Sequence, residues 1–114
     1  MGVNDCAGTY KQGKGTRAAA YSALINNLID DYPEIRFYFC SVGPSNGEMY
    51  NTVEIPKLNE EVDRFNAEMR ELCRAAYIDS GEYLKRTGFA TTDGLHYNIP
   101  TYQRWYEYVL SQSQ

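Results

Sequence analysis

Apolar residues recur at helical spacing from Tyr21 through Leu24, Ile25, Leu28 and Ile29 to Tyr32, and this periodicity predicts a first helix. Thr16 is placed to cap its start and Pro33 to end it, since a proline disfavours helical backbone in the residue before it. Residues 35 to 42 read Ile-Arg-Phe-Tyr-Phe-Cys-Ser-Val, apolar on both faces of an extended segment except at Arg36 and Ser41. That is the pattern of a strand covered on both sides in a parallel sheet. Gly43-Pro44-Ser45-Asn46-Gly47 breaks it, and a loop long enough to shape a pocket runs on to about Ile55. A second helix is expected from Pro56, with Leu58, Val62, Phe65, Met69 and Leu72 along one stripe and Glu60, Glu61, Arg64, Glu68 and Arg70 facing water. It spans too few heptads for a coiled coil.

Ala75 to Ser80 reads as a short strand, and Glu82 to Thr92 as a connection with a helical turn at Tyr83 to Arg86. Asn98 can cap a third helix with Pro100 in its first turn and a buried face of Tyr102, Trp105, Tyr106 and Val109. At the other end of the chain, residues 5 to 16 form a glycine-rich polar loop. Helices alternating with strands imply a parallel α/β sheet with right-handed crossovers, in which ligands bind beyond the carboxyl ends of the strands.

Composition narrows the possible partners. The chain has 114 residues, 43 % of them hydrophobic and 23 % charged, which suits one small globular domain. A net charge of −4 with few basic clusters argues against nucleic acid and against an anionic membrane surface. No run approaches the roughly 18 apolar residues of a membrane helix. Nor does the N-terminus show the basic region and apolar core of a signal peptide. Cys6, Cys40 and Cys73 are odd in number and widely spaced, so they indicate neither a disulfide framework nor a zinc site. Cys40 and Cys73 read as small buried hydrophobes and Cys6 as exposed, and nothing marks any of them as an activated thiol. One histidine leaves a metal cluster short of ligands, and no cofactor is called for. Gly13-Lys14-Gly15-Thr16 lacks the glycine spacing of a phosphate-binding loop.

That single histidine, His96, follows Asp93 by three residues. A loop there can turn the carboxylate towards Nδ1, fix the tautomer and leave Nε2 as a proton acceptor. Alone, an Asp-x-x-His reads more often as a loop hydrogen bond than as catalysis. Ser41 and Ser45 follow the central strand, but no Gly-x-Ser-x-Gly elbow surrounds either, and both read as turn formers.

A second block accompanies the histidine. Gly2-Val3-Asn4-Asp5 together with Asp93-Gly94-Leu95-His96 resembles the third and fifth blocks of the SGNH, or GDSL-type, esterase and lipase family, in the right order and across essentially the whole chain. The resemblance implies a flavodoxin-like three-layer α/β/α sandwich of parallel strands, of which two are visible here and a third would end at Gly2. It also implies ester hydrolysis, with His96 as general base and acid, Asp93 steadying it, Asn4 donating to the oxyanion and Asp5 tying its loop. The family's Gly-Asp-Ser block, which carries the nucleophile, and the block with an oxyanion-hole glycine both precede the Gly-x-Asn-Asp block. Residues 1 to 114 are therefore expected to form one domain, the C-terminal portion of such a hydrolase. The strand at 35 to 42 would then have a bare edge, which pairs with the N-terminal half or with a second copy. The expected substrate is a small acyl ester such as an acetylated carbohydrate, for which the tyrosines and Trp105 offer stacking surfaces, although aromatic residues at helical spacing also read as core. The alternative is a non-catalytic interaction or structural module in which the site is vestigial.

Overall fold

A computed structural model describes residues 17–114, so Thr16, the glycine-rich loop, Cys6 and the Gly2 to Asp5 block lie outside the described residues. Among the described residues four helices and four short strands follow in chain order: α1 (Ala18–Asp31), β1 (Tyr38–Cys40), β2 (Met49–Tyr50), β3 (Val53–Glu54), α2 (Ile55–Leu72), β4 (Ala76–Ile78), α3 (Ser80–Thr87) and α4 (Ile99–Gln112). β1 and β4 pair in parallel with Phe39 opposite Tyr77, as the α/β alternation requires. β2 and β3 form a separate antiparallel hairpin within the stretch whose sequence predicts a loop.

α2 is the element on which the packing converges. Pro56 sits in its first turn, where the missing N–H costs nothing. Leu58, Val62, Phe65 and Met69 are buried together with Ala18 of α1, Val42 and Val53. Phe65 meets Tyr21 edge-on at 5.8 Å and Phe39 at 6.3 Å, joining α1, α2 and β1 through one side chain. Two positions depart from the expected stripe. Leu72, at its end, is exposed, and Glu61, expected to face water, is buried between the turns that carry Leu58 and Phe65. Arg64 pairs with one oxygen of Glu61, while the other oxygen has no hydrogen-bond partner among the described residues.

Asn59 and Asn66, two turns apart on α2, hold the chain that leaves β1. The Asn66 amide accepts from the Val42 N–H at 2.8 Å and donates to the Val42 carbonyl at 2.9 Å. Asn59 does the same for Ser45, at 2.9 and 2.8 Å. Each side-chain amide stands in for the missing strand neighbour, so the backbone polar groups stay paired after the ladder ends.

Side-chain alternation along β1 sets the layers. Phe39 points to the α1 and α2 side, whereas the Tyr38 hydroxyl donates to the Ser113 carbonyl beyond the end of α4 at 2.9 Å. Helices thus cover both faces, giving the three layers of a partial SGNH-like α/β fold. The strand at 35 to 42 is shorter than its apolar run, and β1 is only half-buried. The residues after Ile78 also differ from expectation, because Asp79 caps α3, accepting from the Glu82 N–H, and ends the strand early. Tyr83 of α3 stacks on Tyr108 of α4 at 4.1 Å. Asn98 caps α4 by accepting from the Thr101 N–H at 3.0 Å. Its apolar face is not buried as expected: Tyr102 and Tyr106 are exposed, and Trp105 and Val109 only half-buried. β1 has a ladder partner on one edge alone among the described residues, so α4 overhangs a sheet too narrow to cover it.

Candidate active site

Residues 90 to 98 fold back on themselves between α3 and α4. The Asn98 N–H donates to the Ala90 carbonyl at 2.9 Å, Thr91 and Tyr97 form an antiparallel bridge, and the Thr92 N–H donates to the His96 carbonyl at 2.8 Å. Asp93, Gly94 and Leu95 make the tip. Asp93 Oδ1 accepts from the N–H groups of Leu95 and His96, at 2.9 and 2.8 Å, and its Oδ2 lies 2.6 Å from His96 Nδ1. The aspartate therefore builds the turn with one oxygen and orients the imidazole with the other.

Those amides, that of His96 first and then that of Leu95, hold the Asp93 carboxyl well below its ordinary 3.8, at about 2, with the imidazole adding to the effect. A depressed carboxylate stabilises the turn fully above its unfolded value, and the contribution fades as pH falls through the folded one. The amide resonances of Leu95 and His96 are accordingly expected to hold their positions down to about pH 3 and to move with a midpoint near pH 2. Titration of those amides near the ordinary 3.8 would show that the carboxylate is not engaged.

Gly94 locks this loop to the chain beyond β1. Its φ of +95° is one that side-chain-bearing residues rarely adopt, and a Cβ there would lie 2.5 Å from the Asn46 carbonyl oxygen and 3.2 Å from Ile55 Cδ1. The Asn46 N–H donates to the Gly94 carbonyl at 2.9 Å, and the Thr91 hydroxyl donates to Asn46 Oδ1 at 2.6 Å. Gly94→Ala is expected to cost about 1–3 kcal/mol in backbone strain alone and to separate the two loops. A thermal melt reads the cost, and loss of slow amide exchange at Asn46 reads the separation. A second closure lies at Gly43, where a Cβ would collide with the Tyr97 ring. The Tyr97 hydroxyl donates to the Pro44 carbonyl at 2.6 Å, and burial pushes its pKa far up, so the donor keeps its proton.

His96 and Ser45 border one cavity of about 620 Å³, along with Tyr21 and Phe65 on one side of β1 and Tyr102 and Trp105 on the other. A space bounded by side chains from both faces of one strand lies off that strand's edge, and β4 occupies the opposite edge. Tyr38 to Ser45 form its floor.

Of the residues singled out by sequence, Asp93 and His96 are in contact, and Asn4 lies outside the described residues. The Ser41 hydroxyl donates to Asp79 Oδ1 at 3.0 Å and accepts from the Gly81 N–H at 2.7 Å, a structural role at the start of α3. Burial raises the Cys40 thiol, and Cys73 packs against the core. Tyr50 and Asn46 were missed. The contacts of Asn46 with Gly94 and Thr91 are tertiary and leave no local signal.

A parallel sheet covered on both faces, with a carboxylate-oriented histidine on a loop beside the edge of β1 that has no ladder partner among the described residues, makes this an α/β protein. The model of the GDSL-like lipase/acylhydrolase family matches residues 1–109, and the chain belongs to that family. No curated protein and no solved structure matches it. No helix among the described residues is long and apolar enough to cross a membrane.

Proposed function

We propose that this chain supplies the acid-base and oxyanion groups of a serine ester hydrolase and forms the C-terminal portion of its domain. The observation that carries the reading is the 2.6 Å contact between Asp93 Oδ2 and His96 Nδ1. It leaves Nε2 to take the proton of an attacking hydroxyl and pass it to the leaving alcohol. Asn4 donates its side-chain amide to the oxygen that becomes negative in the tetrahedral intermediate. Water then repeats the attack on the acyl-enzyme, with His96 again as base.

The strand that leads into the Asn4 block seats against the edge of β1 that has no ladder partner among the described residues, and the nucleophile comes from the segment before that strand. Support comes from the cavity there, whose walls of Tyr21, Phe65, Tyr102 and Trp105 suit a strand apolar on both faces. Without that strand the edge pairs with a second copy. Light scattering after size exclusion is expected to find dimers or larger species, and a stable dilute monomer counts against this part of the reading.

The rival is a non-catalytic module. It draws on the binding of the Ser41 hydroxyl to Asp79 and the backbone of α3, and on the raised Cys40 thiol. p-Nitrophenyl esters of increasing acyl length, assayed on the longest polypeptide that carries this chain, separate the two. Turnover above background, with a preference for short acyl groups, supports the hydrolase; no turnover at any length supports the module.

A further inference from the structure

The hairpin of β2 and β3 brings an aromatic ring to the imidazole from a distant part of the chain. Tyr50, half-buried, meets His96 edge-to-face, with ring centroids 5.9 Å apart and planes at 63°. Tyr50 does not border the cavity, whereas His96 does. The histidine thus borders the open space while touching a tyrosine that does not, with Asp93 on its Nδ1. Two of its sides are held.

The hairpin is built to keep that ring in place. Its two-residue turn is Asn51-Thr52, with Asn51 at φ 52°, a left-handed conformation that asparagine tolerates better than most residues. Val53 and Ile55 root the second strand in the core, and the Ile55 N–H donates to the Glu48 carbonyl at 2.9 Å to close the base. The same stretch is fixed to the histidine loop through Asn46 and Gly94. Hairpin and loop thus form one body.

A histidine side chain that is 59 % exposed, with its side-chain hydrogen bond among the described residues at Nδ1, keeps freedom to swing about its side-chain torsions unless a neighbour packs against the ring. We infer that Tyr50 is a positioning residue, packing behind the His96 ring and holding its Nε2 edge towards the cavity. The inference rests on the reading of His96 as general base for its purpose, but its geometry is testable without turnover. Alignment of a base to within a fraction of an ångström is what a proton transfer demands.

Because His96 is the only histidine, selective 13C and 15N labelling gives one set of ring resonances that report on it alone. Tyr50→Leu keeps apolar bulk on the hairpin and removes the ring, while Tyr50→Phe keeps the ring. In the leucine variant the His96 ring protons are expected to lose their ring-current displacement and the ring carbons to relax as a mobile group. The phenylalanine variant restores both. The Ile55 amide, which donates to the Glu48 carbonyl at the base of the hairpin, stays equally protected from exchange in each, which separates loss of positioning from loss of the hairpin. Where a polypeptide carrying this chain hydrolyses an ester, Tyr50→Leu lowers kcat on the order of tenfold to a hundredfold with KM little changed. Ring shifts and relaxation in the leucine variant identical to those of the parent would overturn the inference. Absence of esterase activity overturns the hydrolase reading and leaves the ring measurement to decide this one.

Discussion

Asp93→Asn is expected to lower turnover by about four orders of magnitude in a hydrolysis-competent polypeptide carrying this chain, while leaving the turn around His96 folded. An asparagine can place its carbonyl oxygen where Asp93 Oδ1 now accepts from the N–H groups of Leu95 and His96, so the loop keeps its shape. Its NH2 group then faces His96 Nδ1 and donates to it, where the carboxylate oxygen at 2.6 Å accepts. The neutral ring must carry its proton on Nε2, the nitrogen required to be empty. Asp93→Ala loses the turn as well and is expected to destabilise the loop without being a slower enzyme than Asp93→Asn. His96→Ala removes the base outright, at a cost on the order of six orders of magnitude, and adding Asp93→Asn to it should cost nothing further, because the two residues act as one unit. Additive losses in the double variant would show that Asp93 works through some route other than the imidazole. Long-range 1H–15N correlation on the single histidine checks the tautomer directly.

What could be read from the sequence follows the range of the interactions involved. The contact of Asp93 with His96 spans three residues, so the motif itself contains it. The stripe of Leu58, Val62, Phe65 and Met69 was legible because helical burial repeats with the helix. Glu61 was misread because polarity was taken for position: three residues after Leu58 and four before Phe65, it shares their side of α2, and Arg64 neutralises part of the burial. The hairpin was invisible to pattern because each of its strands has two residues, too few to show alternation, and its left-handed residue is Asn51 where glycine is the usual marker. The pairing of Asn59 and Asn66 with the chain beyond β1 left a trace, two asparagines seven residues apart on one helix, whose meaning depends on what passes alongside. Tyr50 reaching His96 is a tertiary contact with no local signature. The exposed face of α4 belongs to the same class, since burial of Tyr102 and Tyr106 depends on a sheet wider than the one described.

Phe65→Ala is expected to destabilise the chain by about 3–5 kcal/mol, a large share of the roughly 5–15 kcal/mol that holds a domain together. The ring is 3 % exposed and links three elements, through Tyr21 on α1 and Phe39 on β1. Leu72 lies on the same predicted stripe but is 45 % exposed, and Leu72→Ala should fall within about 0.5 kcal/mol of the parent. Urea denaturation distinguishes them, and equal losses would mean that the stripe, rather than the observed packing, sets the core. The cost at Phe65 also depends on its second neighbour, the cavity beside β1. Where that space is open, water or shifted side chains can enter the volume the ring vacates, and the loss should sit near the lower figure. With a strand seated along the edge, the walls can no longer relax and the loss should approach the upper one, since a void that cannot collapse is the costlier kind. The difference between the two states, measured on the same substitution, reports whether the edge is filled without requiring any catalytic step.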